Sequence, residues 1–237
     1  MQEKHVQHIK ERVRQSYAVI ADEFDATRQK PWEEFRHFLA YVREGARVLD
    51  AGCGNGRLFE ILKGEDVQYL GVDNNLSLLE AAKQHFPQAR FELGDMTAFD
   101  LPEGTFDNIF CVAAFHHVPG KRERRQVVHH FYRALKHDGV LVLTVWNLFQ
   151  WKYAGAWLRA IGAWLLHLGL RYAWNDLWIR WGHCPLKRYY HAFMAGELRR
   201  LFPSDQWKIE EFYFTRKGNR VSFWRSFNLI LIARKKN

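Results

Sequence analysis

The chain is predicted to fold as an α/β protein on a doubly wound, mostly parallel sheet with helices on both faces. Three observations carry that prediction. Residues about 46–146 alternate short apolar runs with helix-compatible segments. The apolar runs are continuous rather than alternating, as in strands buried on both faces. And Arg47-Val48-Leu49-Asp50-Ala51-Gly52-Cys53-Gly54-Asn55-Gly56-Arg57-Leu58 takes a strand into a carboxylate, then into three alternate glycines, before a helix can begin.

The elements follow in order. Residues 1–45 form an N-terminal helical cap, with Val13, Tyr17, Ile20 and Phe24 at helical spacing. Pro31 opens a second helix containing Trp32, Phe35, Phe38, Leu39 and Val42. The core, 46–146, has strands at 47–50, 68–73, 89–92, 106–112 and 139–146 and helices at 56–63, 75–85 and 121–136. Residues 147–186 read as a Trp-rich helical insertion. Its apolar stripe is Trp151, Ala154, Leu158, Ile161, Leu165 and Leu168, and Lys152, Arg159, His167 and Arg171 lie on another arc. Charge and glycine break the stretch, so it is not a clean membrane span. Residues 187–237 complete the sheet, with a helix at 193–202 and an antiparallel pair, 209–214 and 227–233, around a basic turn at 215–220. The total is seven strands in one domain, 1–237.

Composition narrows the setting. The 48% hydrophobic content supports a substantial core, and the charged first twenty residues do not resemble a signal peptide. Cys53, Cys111 and Cys184 are scattered and odd in number, which predicts a reduced, cytoplasmic protein with no disulfide frame. They lack zinc-ligand spacing, and no metal is expected. A net charge of +9 favours nucleic acid or anionic lipid as partner, against a basic surface with no polyanion partner. Of ten tryptophans, Trp151, Trp157, Trp164, Trp174, Trp178 and Trp181 crowd one stretch.

A second carboxylate, Asp73, ends the next apolar strand, so the glycine loop belongs to a nucleoside-binding βαβ unit. The glycine spacing differs from the usual dinucleotide loop and suits a donor without phosphate, S-adenosylmethionine. Asp50 is placed for the amino-acid ammonium and Asp73 for the ribose hydroxyls. Asp95 and Met96 are placed for the adenine, and the loop Gly52–Gly54–Gly56 for close backbone approach. The competing reading makes Asp50 a helix cap and Asp95 a turn former.

These residues resemble class I S-adenosylmethionine-dependent methyltransferases, whose fold is Rossmann-like. The resemblance implies that Tyr17, Ala51, Asn55, Asn74 and Val112 also belong to the donor site. Three further segments narrow it: Tyr17 to Trp32 with its Thr27-Arg28-Gln29-Lys30-Pro31-Trp32 end; His116-His117-Val118 followed by Lys121-Arg122-Glu123-Arg124-Arg125; and Arg188-Tyr189-Tyr190-His191-Ala192-Phe193. Together they are similar to the tRNA wobble-uridine carboxymethyl methyltransferases. That resemblance implies methyl-ester formation on a tRNA carboxylate and a small zinc-binding activator subunit. Where that family can carry a long polar insertion, this chain has its Trp-rich segment.

A carboxylate acceptor, with a pKa near ~4, needs orientation rather than a general base. Arg28, Arg188, Tyr189, Tyr190 and His191 are the candidates, arginine for its paired fit to a carboxylate. His116 and His117 follow the fourth strand beside the expected methyl position, or else form a packed, capping pair. Residues 121–125 and 216–220 offer phosphate contacts or solvated charge. The Trp-rich segment is a lid, a partner surface, or a contact with an anionic membrane interface. The alternative function is a small-molecule or lipid methyltransferase peripheral to a membrane. A non-catalytic module is opposed by the intact donor loop.

Overall fold

The computed structural model describes residues 3–28, 30–167, 172–182 and 184–236. Gln29, Leu168 and Arg171, named above, lie outside them. The strands are β1 (Ala46–Ala51), β2 (Val67–Asp73), β3 (Arg90–Leu93), β4 (Phe106–Val112), β5 (Leu135–Trp146), β6 (Asp176–Arg180), β7 (Lys187–His191), β8 (Trp207–Arg216), β9 (Asn219–Arg220) and β10 (Asn228–Lys235). The α-helices are α1 (Glu3–Val19), α2 (Ala21–Thr27), α3 (Phe35–Phe38), α4 (Phe59–Leu62), α5 (Leu76–His85), α6 (Lys121–Ala134), α7 (Ala154–Leu166) and α8 (Ala195–Arg199).

The main sheet runs β3-β2-β1-β4-β5-β10-β8-β9. β1 to β5 pair in parallel, and β10 inserts antiparallel between β5 and β8. The order reverses between β1 and β4, which opens a crevice at their C-terminal ends. One face buries Phe115, Phe131, Phe193 and Trp207 under α6 and α8. The other buries Phe38, Phe59, Leu62 and Leu79 under α3, α4 and α5.

Three expectations are corrected. The sheet has eight strands rather than seven. Lys217 (φ 50°) and Gly218 (φ 73°) make a tight reversal, and the basic turn itself pairs back on β8 as β9. The Trp-rich segment is only half helical, since β6 pairs antiparallel with β7 in a separate ribbon. The helix expected at 56–63 shrinks to α4, because Gly56 at φ 77° still belongs to the loop.

The Trp-rich stripe also faces the opposite way from a core stripe. Trp151, Leu158 and Leu165 are 94, 74 and 60% exposed, and α7 buries Ala156 and Ala160 instead. Trp157 turns inward, donating from Nε1 to the Leu148 carbonyl (3.0 Å) and packing on Phe149. Among the described residues no helix is long and apolar enough to cross a membrane.

The N-terminal cap breaks at Ile20 (φ −109°, ψ 12°) into α1 and α2, which cross the C-terminal ends of the strands. Polar ties hold it there. Lys10 Nζ pairs with Asp95 Oδ2 (3.1 Å), and Asn75 Nδ2 donates to the Arg14 carbonyl (3.0 Å). Tyr17 meets His117 (2.8 Å), and Asn55 Nδ2 donates to Asp25 Oδ1 (2.8 Å).

Candidate active site

The glycine loop is built by backbone geometry. Gly52, Gly54 and Gly56 have φ of 80°, 56° and 77°, a region side chains rarely adopt. A Cβ on Gly52 would stand 2.4 Å from Ala114 Cβ and 3.1 Å from Met96 Cε. The amides of Gly52 and Cys53 donate to the Val72 carbonyl at 2.7 and 3.1 Å, so β2 anchors the loop. Asp73 then accepts from the Gly54 amide (2.8 Å) and the Asn75 amide (2.9 Å).

One cleft forms over this loop. Tyr17, Asp50, Gly52, Gly54, Asn55, Asp73, Asn74, Asp95, Met96 and Val112 all line it; Ala51 and Gly56 do not. Ala51 is buried in β1, and Gly56 presses on Phe91, where a Cβ would come within 2.9 Å of the ring. Asp50 is buried and accepts from the Tyr69 hydroxyl (2.9 Å); burial pushes its carboxyl up to about 7. Burial raises Asp73 as well, against its backbone donors. Asp95 is already engaged: Oδ1 accepts from the Thr97 amide and hydroxyl (2.9 Å each), and Oδ2 meets Lys10. At the end of β4, Ala113 holds φ 52° and donates to Thr144, a strained turn lining the same cleft.

Of the expected acceptor residues, Arg28 and His117 line the cleft, whereas His116, Arg188, Tyr189, Tyr190 and His191 stand behind its wall. The Tyr189 carbonyl can only accept, so His117 Nδ1 donates to it (2.8 Å), and Nε2 accepts from the Tyr17 phenol (2.8 Å). Burial holds His117 well below the usual imidazole range. His116 is fully buried against Trp146 and Tyr190; burial, helped by Arg188 and His191, lowers it to about 3. Tyr189 donates to Asp176 Oδ1 (2.6 Å), and His191 is held between Asp176 (2.7 Å) and Glu197 (2.7 Å). That network fastens β7 to β6 and α8.

Two guanidiniums, Arg28 and Arg57, line the cleft, and a third, Arg188, stands behind Tyr17. Arg28 lies over Phe24 (4.5 Å) and Trp181 (4.4 Å). Arg57 lies over Trp32 (4.6 Å), and burial, with Arg28 beside it, lowers it to about 10. Arg188 stacks on Tyr17 at 3.5 Å and donates to Ser16 Oγ (2.9 Å), while its Nη2 is buried with no hydrogen-bond partner among the described residues. None of the three makes an ion pair within the described residues. Arg57, Trp32 and Trp146 also line the cleft without having been singled out for it. Arg57 follows the last loop glycine directly, which was the available signal. In the basic run at 121–125, Arg124 turns inward and donates to the Val118 carbonyl (3.1 Å).

A glycine loop with carboxylates ending β1 and β2, at the reversal point of a sheet with this strand order, defines a class I S-adenosylmethionine-dependent methyltransferase. Residues 48–139 match the family described as methyltransferase domain. The chain is 30% identical over 207 residues to the tRNA (carboxymethyluridine(34)-5-O)-methyltransferase of Schizosaccharomyces pombe, covering 83% of this chain and 88% of that one. It is 35% identical over 124 residues to trans-aconitate 2-methyltransferase of Variovorax paradoxus, covering 51 and 46%. A methyltransferase structure from Methanosarcina mazei superposes with a TM-score of 0.70 at 20% identity, covering 84% of this chain and 97% of that one. The complex of the Haloferax volcanii Trm112 methyltransferase activator with a methyltransferase gives 0.64 at 17% identity, covering 95 and 98%. The chain belongs to the methyltransferase family that includes the tRNA (carboxymethyluridine(34)-5-O)-methyltransferases. It is an enzyme whose cofactor is S-adenosylmethionine.

Proposed function

We propose that the enzyme esterifies the carboxylate of a carboxymethyl group on a tRNA wobble uridine. The observation that carries this reading is a pair of guanidiniums, Arg28 and Arg57, that line the cleft stacked on aromatic rings, with Arg188 behind Tyr17, none of the three having a carboxylate partner among the described residues. Unpaired, partly buried guanidiniums are costly to a fold and suit an anionic, planar acceptor.

The chain's residues fit the donor. The cleft passes over Gly52, where a Cβ would fill the space against Met96. Asp50 has one neutral donor and a raised pKa, the state of a carboxylate that an ammonium would satisfy. Asp73 spends one bond per oxygen on backbone amides and keeps lone pairs for ribose hydroxyls. Met96 and Val112 give the adenine apolar walls, and Asp95 can serve its amino group only by sharing with Thr97 and Lys10. Tyr17, Asn55 and Asn74 also line the cleft. S-adenosylmethionine supplies an electrophilic methyl group on a sulfonium.

The acceptor side supports a nucleophile that arrives already ionised. A carboxylate with a pKa near ~4 needs no base. Both His117 nitrogens are committed and His116 is held neutral, so neither takes a proton at neutral pH. Arg28 and Arg57 orient the carboxylate. Arg188, Tyr190 and His116 brace Tyr17 and His117 from behind, and Tyr189 and His191 fix β7. A tRNA substrate implies a cytoplasmic site of action. A Trm112-like activator belongs to the reading as a partner, and adding one should raise activity.

The second reading is a small carboxylic acid acceptor. It uses the same arginines and is favoured by the similarity to trans-aconitate 2-methyltransferase. Labelled donor incubated with carboxymethyluridine-containing tRNA, tRNA lacking it, small carboxylic acids and a lipid extract separates the readings. The expected result is label on the first tRNA alone, released by mild base as an ester would be. Label confined to small acids or lipid overturns the tRNA reading.

A further inference from the structure

A second basic site lies outside the methyl-transfer cleft. The first turns of α7 and the open end of the β6–β7 ribbon enclose a groove of about 410 Å³. Lys152, Arg159, Arg180 and Lys187 line it together with Trp178 and Tyr153, and among the described residues no acidic one does. Arg180 and Lys187 are cross-strand partners in the ladder, so two cations face one another where strand pairing would favour opposite charges. None of the four cations makes a salt bridge or a hydrogen bond to a carboxylate within the described residues. Lys152 Nζ lies over the faces of Tyr153 (4.9 Å) and Phe227 (5.6 Å). On the neighbouring α1, Arg12 covers the Trp178 ring at 4.9 Å.

Like charges held together at an unfavourable pairing position, with no acid to relieve them, point to an anion that arrives from outside. The site is concave, which suits a phosphodiester strand entering between helix and ribbon; a planar lipid surface cannot follow the cations into a groove. The ribbon also joins this groove to the active site. Lys187 lines the groove, and the next residue, Arg188, stacks on Tyr17 in the cleft wall.

We propose that this groove binds the phosphate backbone of the RNA whose modified base occupies the cleft. The inference rests on the tRNA reading above. It assigns to the Trp-rich segment the work of holding substrate backbone, by contacts that carry no sequence information.

The test is equilibrium binding of an unmodified tRNA transcript across a salt series, with donor affinity measured in parallel. Arg180→Glu with Lys187→Glu should weaken RNA binding at least about tenfold. It should also flatten the log–log salt slope by about 1.4, from two single-strand phosphate contacts at about 0.7 each. Arg180→Lys with Lys187→Arg should retain both, and donor affinity should be unchanged in all variants. Lys152→Glu, on the α7 side, gives an independent reversal should the ribbon variant fold poorly. Unchanged RNA affinity and slope in the reversal variants overturns the groove while leaving the methylation assay free to succeed. Binding through these same residues to phosphatidylcholine–phosphatidylglycerol vesicles but not to RNA overturns the choice of occupant. RNA binding that depends on the groove, with no label transferred to tRNA, supports the groove and removes the wobble-uridine reading instead.

Discussion

Asp50 is buried and Asp73 half-buried at the ends of adjacent strands, and the protein meets their charge unequally. Asp73 has two backbone donors, Asp50 a single phenol. Burial raises Asp50 from 3.8 to about 7, so its contribution to stability is fully present below pH 3.8 and is lost as pH rises through about 7. An ammonium in the site favours the ionised form and reverses that penalty. Donor affinity should therefore fall as pH drops below about 7, approaching tenfold per pH unit, and calorimetry between about pH 5.5 and 8.5 checks this. An affinity that stays flat would rule Asp50 out as the ammonium's partner. For Asp73, Asn substitution should weaken the donor about a hundredfold, from two charge-assisted hydrogen bonds at about 1.5 kcal/mol each; unchanged affinity would count against the ribose assignment. Both acids were legible in the sequence because each ends an apolar strand. That Asp95 is held by Lys10 was not, since the partners are 85 residues apart and meet only when α1 crosses the strand ends.

At the scale of elements, α7 shows what periodicity can and cannot say. The stripe Trp151, Leu158, Ile161, Leu165 is real, but spacing reports only that one face is apolar. Whether a neighbour covers that face is decided by packing, and here the small residues Ala156 and Ala160 make the close contact. Leu158→Glu and Leu165→Glu should each change stability by less than about 0.5 kcal/mol, as exposed positions do. Ala160→Leu should cost about 1–3 kcal/mol by overpacking. Urea unfolding of the three variants measures the contrast; a larger loss from the leucine substitutions would mean the face is covered in solution. The strand β6 was illegible for a related reason: Asp176-Leu177-Trp178-Ile179-Arg180 is too short to separate from helix by pattern, and its ladder partner lies across a turn.

Across the whole molecule, the cap, the glycine loop and the strand ends form one ligand-facing layer, tied through Lys10, Tyr17, Asp25 and Asn75. A donor that binds this layer and not the unfolded chain stabilises everything attached to it. At about a hundred times its dissociation constant it should add about 2.7 kcal/mol, visible as a rise in thermal midpoint of roughly 5–10 °C. Asp25→Ala removes the contacts to Asn55 and His85. It should speed hydrogen exchange in residues 21–28 by about tenfold without changing exchange in β4 and β5.

The sequence by itself determined the strand–loop–helix order, the glycine turn and the acids that end β1 and β2. Those depend on local geometry: φ values only glycine adopts easily, and apolar runs only a buried sheet accepts. Only the tertiary structure decided which arginines lack a partner, that His117 has no free nitrogen, and that cations from α7 and the β6–β7 ribbon share a groove. Pairing, burial and shared walls are properties of distances between segments far apart in the chain, and those distances do not exist until the chain has folded.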